Sequence, residues 1–190
     1  MDDKLISDER IAHMHGVAEF MYENAPKFNC KTLNRQELYF LGLNHDIGYM
    51  FGAENHENDG GRLLAPFLKD GHQNLIAHCI YWHGTLPEKY IEHFGKENTP
   101  PELLLLWYAD LMVESTGPDA GKVVGLDRRL ERLKERWGPF NIEYKRCVVE
   151  VKWLREKLDF LNEDVPKDND TGITFVELKK YVSNEVKKND

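Results

Sequence analysis

The sequence is short of the features that would take it away from an ordinary globular fold. Its three cysteines, Cys30, Cys79 and Cys147, stand far apart without CxxC spacing, and an odd number cannot pair completely within one chain. Buried, reduced thiols are expected instead of a disulfide framework or a zinc site. The longest apolar run, residues 103–109, falls well below the roughly 20 residues of a membrane span. The start, MDDKLISDER, is acidic and polar where a secretory signal has a basic flank and an apolar core, so the expected compartment is the cytoplasm. Positive charge is also scarce. Lys and Arg number 25 against 33 Asp and Glu, a net charge of −8, which repels phosphate backbones and anionic membranes over long range. A stable nucleic-acid complex and a membrane partner are therefore disfavoured, whereas a small phosphorylated substrate is not, because a bound divalent cation supplies local positive charge. No GxxxxGK[ST] loop, GxGxxG fingerprint, HExxH helix or GxSxG elbow occurs.

What is present is a globular composition, 41% hydrophobic and 31% charged over 190 residues, which at about 150 residues per domain gives one domain and a short appendage. The main domain is expected over 1–162. A polar connection over 163–172 and a terminal helix over 175–186 make up the remainder, 163–190. The connection is no calcium loop, since Lys167 and Leu178 fall where such a loop needs ligands.

Apolar Ile11, Met14, Val17, Ala18 and Met21 recur at three- and four-residue steps behind Ser7 as N-cap, predicting an amphipathic helix to about Ala25. Leu38, Leu41 and Leu43 lead a second helix to His45 and Asp46, with Gly48 placed to stop it. A third helix is expected over 54–68. A fourth spans 74–83, ended by Gly84 and Pro87, and a fifth opens at Pro100 and Pro101, runs through Met112 and closes at Gly117 and Pro118. Segments 121–137 and 141–161 follow. The first of these is a mixed-charge helix with a solvated face. Trp107, Trp137 and Trp153 are expected in or near the core. No segment alternates as a strand does, so the fold class is all-α, a bundle of about seven or eight helices.

Eight histidines, at 13, 15, 45, 56, 72, 78, 83 and 93, all fall in the first half, where about four would be ordinary for a whole chain of this length. The adjacent His45 and Asp46 join an imidazole to a carboxylate, a donor pair that suits iron, manganese, cobalt or zinc. Alone, such a dipeptide describes a capped helix end equally well. Asp110 stands in the otherwise apolar helix around 103–113, where an ionised acid carries a large desolvation cost unless it meets a cation or a hydrogen-bond donor. His13 and His15 lie about 200° apart on a helix, and His78 and His83 about 140°, so neither pair can serve one site. His72 and His93 fall in polar, loop-like settings.

The ordered series Arg10-Ile-Ala-His13 with Val17, Leu43-Asn-His45-Asp46-Ile-Gly, His56 before Gly60-Gly61, Ile80-Tyr-Trp-His83 and Ala109-Asp110 resembles the HD superfamily of metal-dependent phosphohydrolases. The likeness covers about residues 7–115. It implies that His13, His45, Asp46 and Asp110 hold a principal divalent ion, and that His56 and His83 complete a second site in members with paired histidines there. One or two ions of iron, manganese, cobalt or zinc are expected, with magnesium also admitted. It further implies a phosphorylated small-molecule substrate, a nucleotide, with Asp46 and Asp110 as the catalytic acids that orient an attacking water. The resemblance selects His13 over His15 and His83 over His78.

The sequence departs from a frequent family form in which a basic residue follows HD-x-G, because HDIGY places Tyr49 there. One phosphate contact is thereby in question. Arg10, Arg62 and Lys89 are the basic substitutes near the ligands in sequence, against the alternative of solvated surface charges. Trp82 either walls the substrate cleft or packs in the core. Two other functions stay open: a nucleotide- or metal-binding regulator that keeps the fold without turnover, and a di-iron oxygenase of HD type. The C-terminal third completes the bundle, covers the cleft or forms a homodimer interface.

Overall fold

Side-chain caps set where the first helices begin. Helix α1 (Asp8–Asn24) starts at Ser7, whose hydroxyl oxygen accepts from the Arg10 amide at 3.2 Å. Helix α2 (Arg35–Asn44) starts with a capping box, in which Asn34 and Glu37 exchange side-chain-to-backbone bonds of 2.8 and 3.0 Å. The computed structural model describes residues 5–68, 71 and 73–158. Among these the order continues with α3 (His56–Leu64), α4 (Asn74–Trp82), α5 (Pro87–Phe94), α6 (Pro101–Met112), α7 (Leu126–Trp137) and α8 (Ile142–Lys157). Short 3-10 turns follow several of them, including Ile47–Met50 just after the His45-Asp46 pair. The described residues form no strand, only a single antiparallel bridge between Val113 and Val123. The fold is all-α, as the periodicity predicts. His72, the boundary at 162/163, the connection over 163–172 and the terminal helix over 175–186 lie outside the described residues.

The structure corrects several local expectations. Pro87 does not close a helix; it opens α5 at the first position, where its missing N–H has no helical partner to lose. His93 therefore sits on a helix and not in a loop. Gly48 does not terminate α2, which stops at Asn44 with His45 as C-cap. Helix α6 stops at Met112, before Gly117 and Pro118. Trp107 and Trp153 are buried, but Trp137, the last residue of α7, is 42% exposed.

The chain divides into two compact units after Gly125. In the first, α1 packs on α2 and α6, α3 packs on α4, and α4 also meets α2 and α6. Val17, Ala18 and Met21 of α1, Leu38 and Leu41 of α2, Ile80 of α4, and Leu105, Leu106 and Trp107 of α6 are buried. Each large side chain of this kind contributes about 1.5–3 kcal/mol. In the second unit, Leu133 of α7 packs with Tyr144 and Val148 of α8, flanked by Leu130 and Cys147. Arg155 reaches Asp127 at 2.8 Å, and Arg128 pairs with Glu131 at 2.9 Å on the charged face of α7. No helix among the described residues is long and apolar enough to cross a membrane.

Two glycines let histidine-bearing segments approach. A Cβ on Gly42 would stand 2.7 Å from the Cα of Ala18, so α1 and α2 touch backbone to backbone at that level. A Cβ on Gly48 would stand 1.8 Å from the carbonyl oxygen of His56, which fixes the turn after Asp46 against the start of α3. The requirement at both positions is space. Gly42→Ala is accordingly expected to cost about 1–3 kcal/mol by overpacking and to lower the urea midpoint, and a midpoint equal to the wild type contradicts the close approach. Gly71→Ala is the control, because nothing lies within 4 Å of a Cβ there.

Candidate metal centre

Five helix ends and faces deliver seven side chains to one place. Helix α1 carries Arg10 and, one turn later, His13. His45 caps α2 and Asp46 follows it. His56 is the first residue of α3, His83 caps α4, and Asp110 stands in the last turn of α6. His13, His45, Asp46 and His83 are buried, although imidazole and carboxylate groups at such depth need partners.

Each imidazole is tied down through Nδ1. His45 donates to the Gly42 carbonyl at 2.7 Å, His83 to Ile80 at 2.7 Å and His56 to Ala53 at 3.0 Å, always three residues back. His13 reaches the Glu114 carbonyl at 3.3 Å. A hydrogen on Nδ1 leaves the Nε2 lone pair free, the tautomer a metal ligand requires. All four Nε2 atoms converge on the two carboxylates.

Asp46 divides the cluster between its two oxygens. Oδ2 lies 3.3 Å from His45 Nε2 and 3.9 Å from His13 Nε2; Oδ1 lies 3.2 Å from His56 Nε2 and 3.4 Å from His83 Nε2. Asp110 Oδ1 meets His13 Nε2 at 2.8 Å and His45 Nε2 at 3.7 Å. The rings succeed one another edge to face, with centroids 5.2 Å apart from His13 to His45, 5.2 Å from His45 to His83 and 5.3 Å from His83 to His56. Two donor sets, His13–His45–Asp110 and His45–Asp46–His83, each have all their ligand atoms within 4.8 Å of one another. His45 Nε2 is buried and makes no hydrogen bond. Such a nitrogen, aimed between two carboxylates, fits a divalent ion of the first transition row.

The electrostatics agree with a cluster that calls for positive charge. Burial opposes charge on His45, yet Asp46 and Asp110 prevail and push its pKa up to about 10. Burial likewise works against ionised Asp46, but His45, His56 and His83 hold the carboxyl well below the usual range. At Asp110 burial is again outweighed, by His13 and His45. That side chain is 37% exposed, so solvent shares in stabilising it. Burial prevails at His13 and lowers its pKa despite Asp110. His56 goes the other way: burial is overcome by Asp46, and the Ala53 carbonyl and Glu57 add to the rise.

Arg10 and Tyr49 lie against the cluster. The guanidinium donates to Asp46 Oδ2 at 2.6 Å and sits 4.2 Å from the centroid of the Tyr49 ring, which in turn stacks on His56 at 4.1 Å. The other expected substrate contacts are placed elsewhere. Arg62 is exposed and lies over Tyr81. Lys89 is exposed on α5, with no ion pair among the described residues. Trp82, half-buried, packs among Tyr81, Tyr90 and Phe94. His78 belongs to that aromatic group, bonded to the Tyr90 hydroxyl at 2.7 Å, while His15 is exposed beside Tyr39. Sequence reasoning passed over Glu57, whose Oε2 lies 3.2 Å from His56 Nδ1, and the Glu114 carbonyl behind His13. Nothing in residue type or spacing signals a backbone acceptor 101 residues away.

Two measurements follow from this geometry. With its folded pKa near 10, His45 carries a proton at pH 7 that an incoming ion must displace. Metal affinity therefore rises with pH, about tenfold per unit for each displaced proton, until about pH 10. Calorimetry in buffers of different ionisation enthalpy should read this release, and a release of zero protons between pH 7 and 9 contradicts it. Elemental analysis should show that His45→Ala holds no ion, because His45 belongs to both donor sets. His56→Ala, whose side chain is 18% exposed and at the edge, should lose at most one equivalent.

A family model of the HD domain matches residues 10–112. No curated protein and no solved structure matches the chain. The matched span begins at Arg10, ends two residues after Asp110, and contains all six clustered histidines and acids. The chain belongs to the HD domain family, a superfamily of metal-dependent phosphohydrolases.

Proposed function

We propose that this protein hydrolyses phosphate esters or anhydrides of nucleotides, in the cytoplasm, with one or two ions of iron, manganese, cobalt or zinc. The observation that carries the reading is the convergence of four Nε2 atoms, each oriented by a bonded Nδ1, on the oxygens of Asp46 and Asp110. His13, His45, Asp46, His56, His83 and Asp110 would hold the ion, which would supply an acidified water and offset charge on phosphoryl oxygens.

The chain's own residues supply the rest. Asp46, 3% exposed, presents a different oxygen to each pair of histidines and so fixes the two halves of the cluster relative to each other. Asp110 is the more open carboxylate; held in its ionised form by His13 and His45, it can accept a hydrogen bond from an attacking water and orient it. Arg10 is the cation nearest the ligands, and its forked donors match two phosphoryl oxygens at once. A nucleotide substrate follows from the family likeness.

Metal-loaded protein should release phosphate from one or more members of a panel of nucleoside mono-, di- and dinucleoside polyphosphates. Asp46→Ala should lose bound metal and turnover together, by at least about 1,000-fold in kcat. Arg10→Ala should keep its metal and lose about 10- to 100-fold in kcat/KM. Unchanged hydrolysis by Asp46→Ala overturns the assignment. Tight nucleotide binding without turnover assigns a regulator, and oxygen consumption without phosphate release assigns the oxygenase.

A further inference from the structure

Arg10 is held in an unusual manner for a residue beside a buried carboxylate. A guanidinium has five N–H donors, yet among the described residues its side chain makes one hydrogen bond, to Asp46 Oδ2. The side chain is 20% exposed. What fixes the remainder is the face of Tyr49, 4.2 Å below the guanidinium carbon. A cation–π contact restrains the guanidinium without using any N–H donor. Most of the fork stays uncommitted and next to the metal ligands.

Tyr49 is itself firmly placed. Its amide donates to the Asp46 carbonyl at 3.0 Å in the 3-10 turn, and its ring rests on His56 with centroids 4.1 Å apart and planes 35° apart. The turn is pinned by the approach of Gly48 to the His56 carbonyl. One ring therefore touches a ligand of the cluster and the cation beside it. A shorter or non-aromatic side chain leaves Arg10 with only its bond to Asp46.

We propose that Tyr49 is a positioning residue whose ring holds the Arg10 guanidinium beside the metal ligands with its remaining donors free for a phosphoryl group. The residue after HDIG thus acts through Arg10 and not by its own charge. This rests on the phosphohydrolase reading for the ligand, though not for the Tyr49–Arg10 contact itself.

The test compares Tyr49→Phe, which keeps the aromatic face, with Tyr49→Leu, which fills similar space without one. Inorganic phosphate is titrated into the full chain loaded with Mn²⁺, after elemental analysis shows equal metal content. Tyr49→Phe should bind phosphate within about twofold of wild type, and Tyr49→Leu about five- to tenfold more weakly, the range of a partly desolvated cation–π contact. In an Arg10→Ala background, Tyr49→Leu should have no further effect. A second readout needs no phosphate: in Zn²⁺-loaded protein, the Arg10 Nε–H resonance should carry a ring-current shift that persists in Tyr49→Phe and vanishes in Tyr49→Leu. Equal phosphate affinity in wild type and Tyr49→Leu overturns the proposal. So does a Tyr49→Phe variant as weak as Tyr49→Leu, which would make the hydroxyl the active part, or a Tyr49→Leu effect that survives removal of Arg10, which would route it through His56. If the wild type takes up no phosphate, the phosphohydrolase reading and the ligand given to Arg10 both fail, while the resonance still decides whether Tyr49 holds the arginine.

Discussion

A buried carboxylate facing four imidazole nitrogens has to be met by positive charge, and the arrangement of the first unit depends on that requirement. Asp46 is 3% exposed and stays ionised against its burial because His45, His56 and His83 face it. An unpaired charge at that depth costs several kcal/mol. Protons and Arg10 can answer part of the demand; a divalent ion answers it more completely, and structural metal sites return about 10 kcal/mol or more to the fold that assembles them. The helices pay attention to this in their ends: α2 and α4 both stop at a histidine, and α3 begins at one. The apolar side chains of α1, α2, α4 and α6 hold the scaffold together, but the site lies where those elements end.

In these histidines, capping a helix and facing a candidate metal site are one geometry. A dipeptide such as His45-Asp46 at a helix end can be read as a cap or as a metal site. Here one ring suits both, because Nδ1 satisfies a C-terminal carbonyl of its own helix while that bond turns Nε2 inward. His83 repeats the device at the end of α4. The backbone at a helix terminus has unbonded carbonyls in any case, so the ligand is oriented by a group that needed a donor. His13, in the middle of α1, has no such carbonyl to use, and its Nδ1 partner comes from the loop after α6.

Much of this was legible in the sequence, and the physical reasons for the rest are specific. The apolar steps from Ile11 to Met21 behind Ser7 read directly as a capped helix, and the cap and helix are as read, although Ile11 itself is 42% exposed. Asp110 stood out because an acid in an apolar helix needs a partner, and the structure gives it His13. Helix α5 was hidden because proline punctuates and initiates helices alike, and only the aromatic neighbours that Tyr90 and Phe94 find in Trp82 and His78 decide between the two. Gly48 was misread for a related reason: glycine marks both helix stops and close contacts, and the contact with His56 depends on a partner in another element. Trp82 carried two readings because adjacency to His83 in sequence says nothing about direction, and neighbouring residues on a helix point about 100° apart.

The graded exposure of the cluster then gives the site a direction. His13, His45, Asp46 and His83 have side chains at most 3% exposed, whereas His56 is at 18%, Arg10 at 20% and Asp110 at 37%. The open side is thus bounded by one cation, one carboxylate and one edge histidine, with Tyr49 in contact with two of the three. A chain of net charge −8 offers an approaching anion little long-range attraction. The two most exposed charged groups of the cluster are nevertheless of opposite sign, the Arg10 guanidinium and the Asp110 carboxylate. Asp46, the acid of the buried side, faces all four histidines, whereas Asp110, the acid of the open side, faces two of them and keeps a solvent-exposed part.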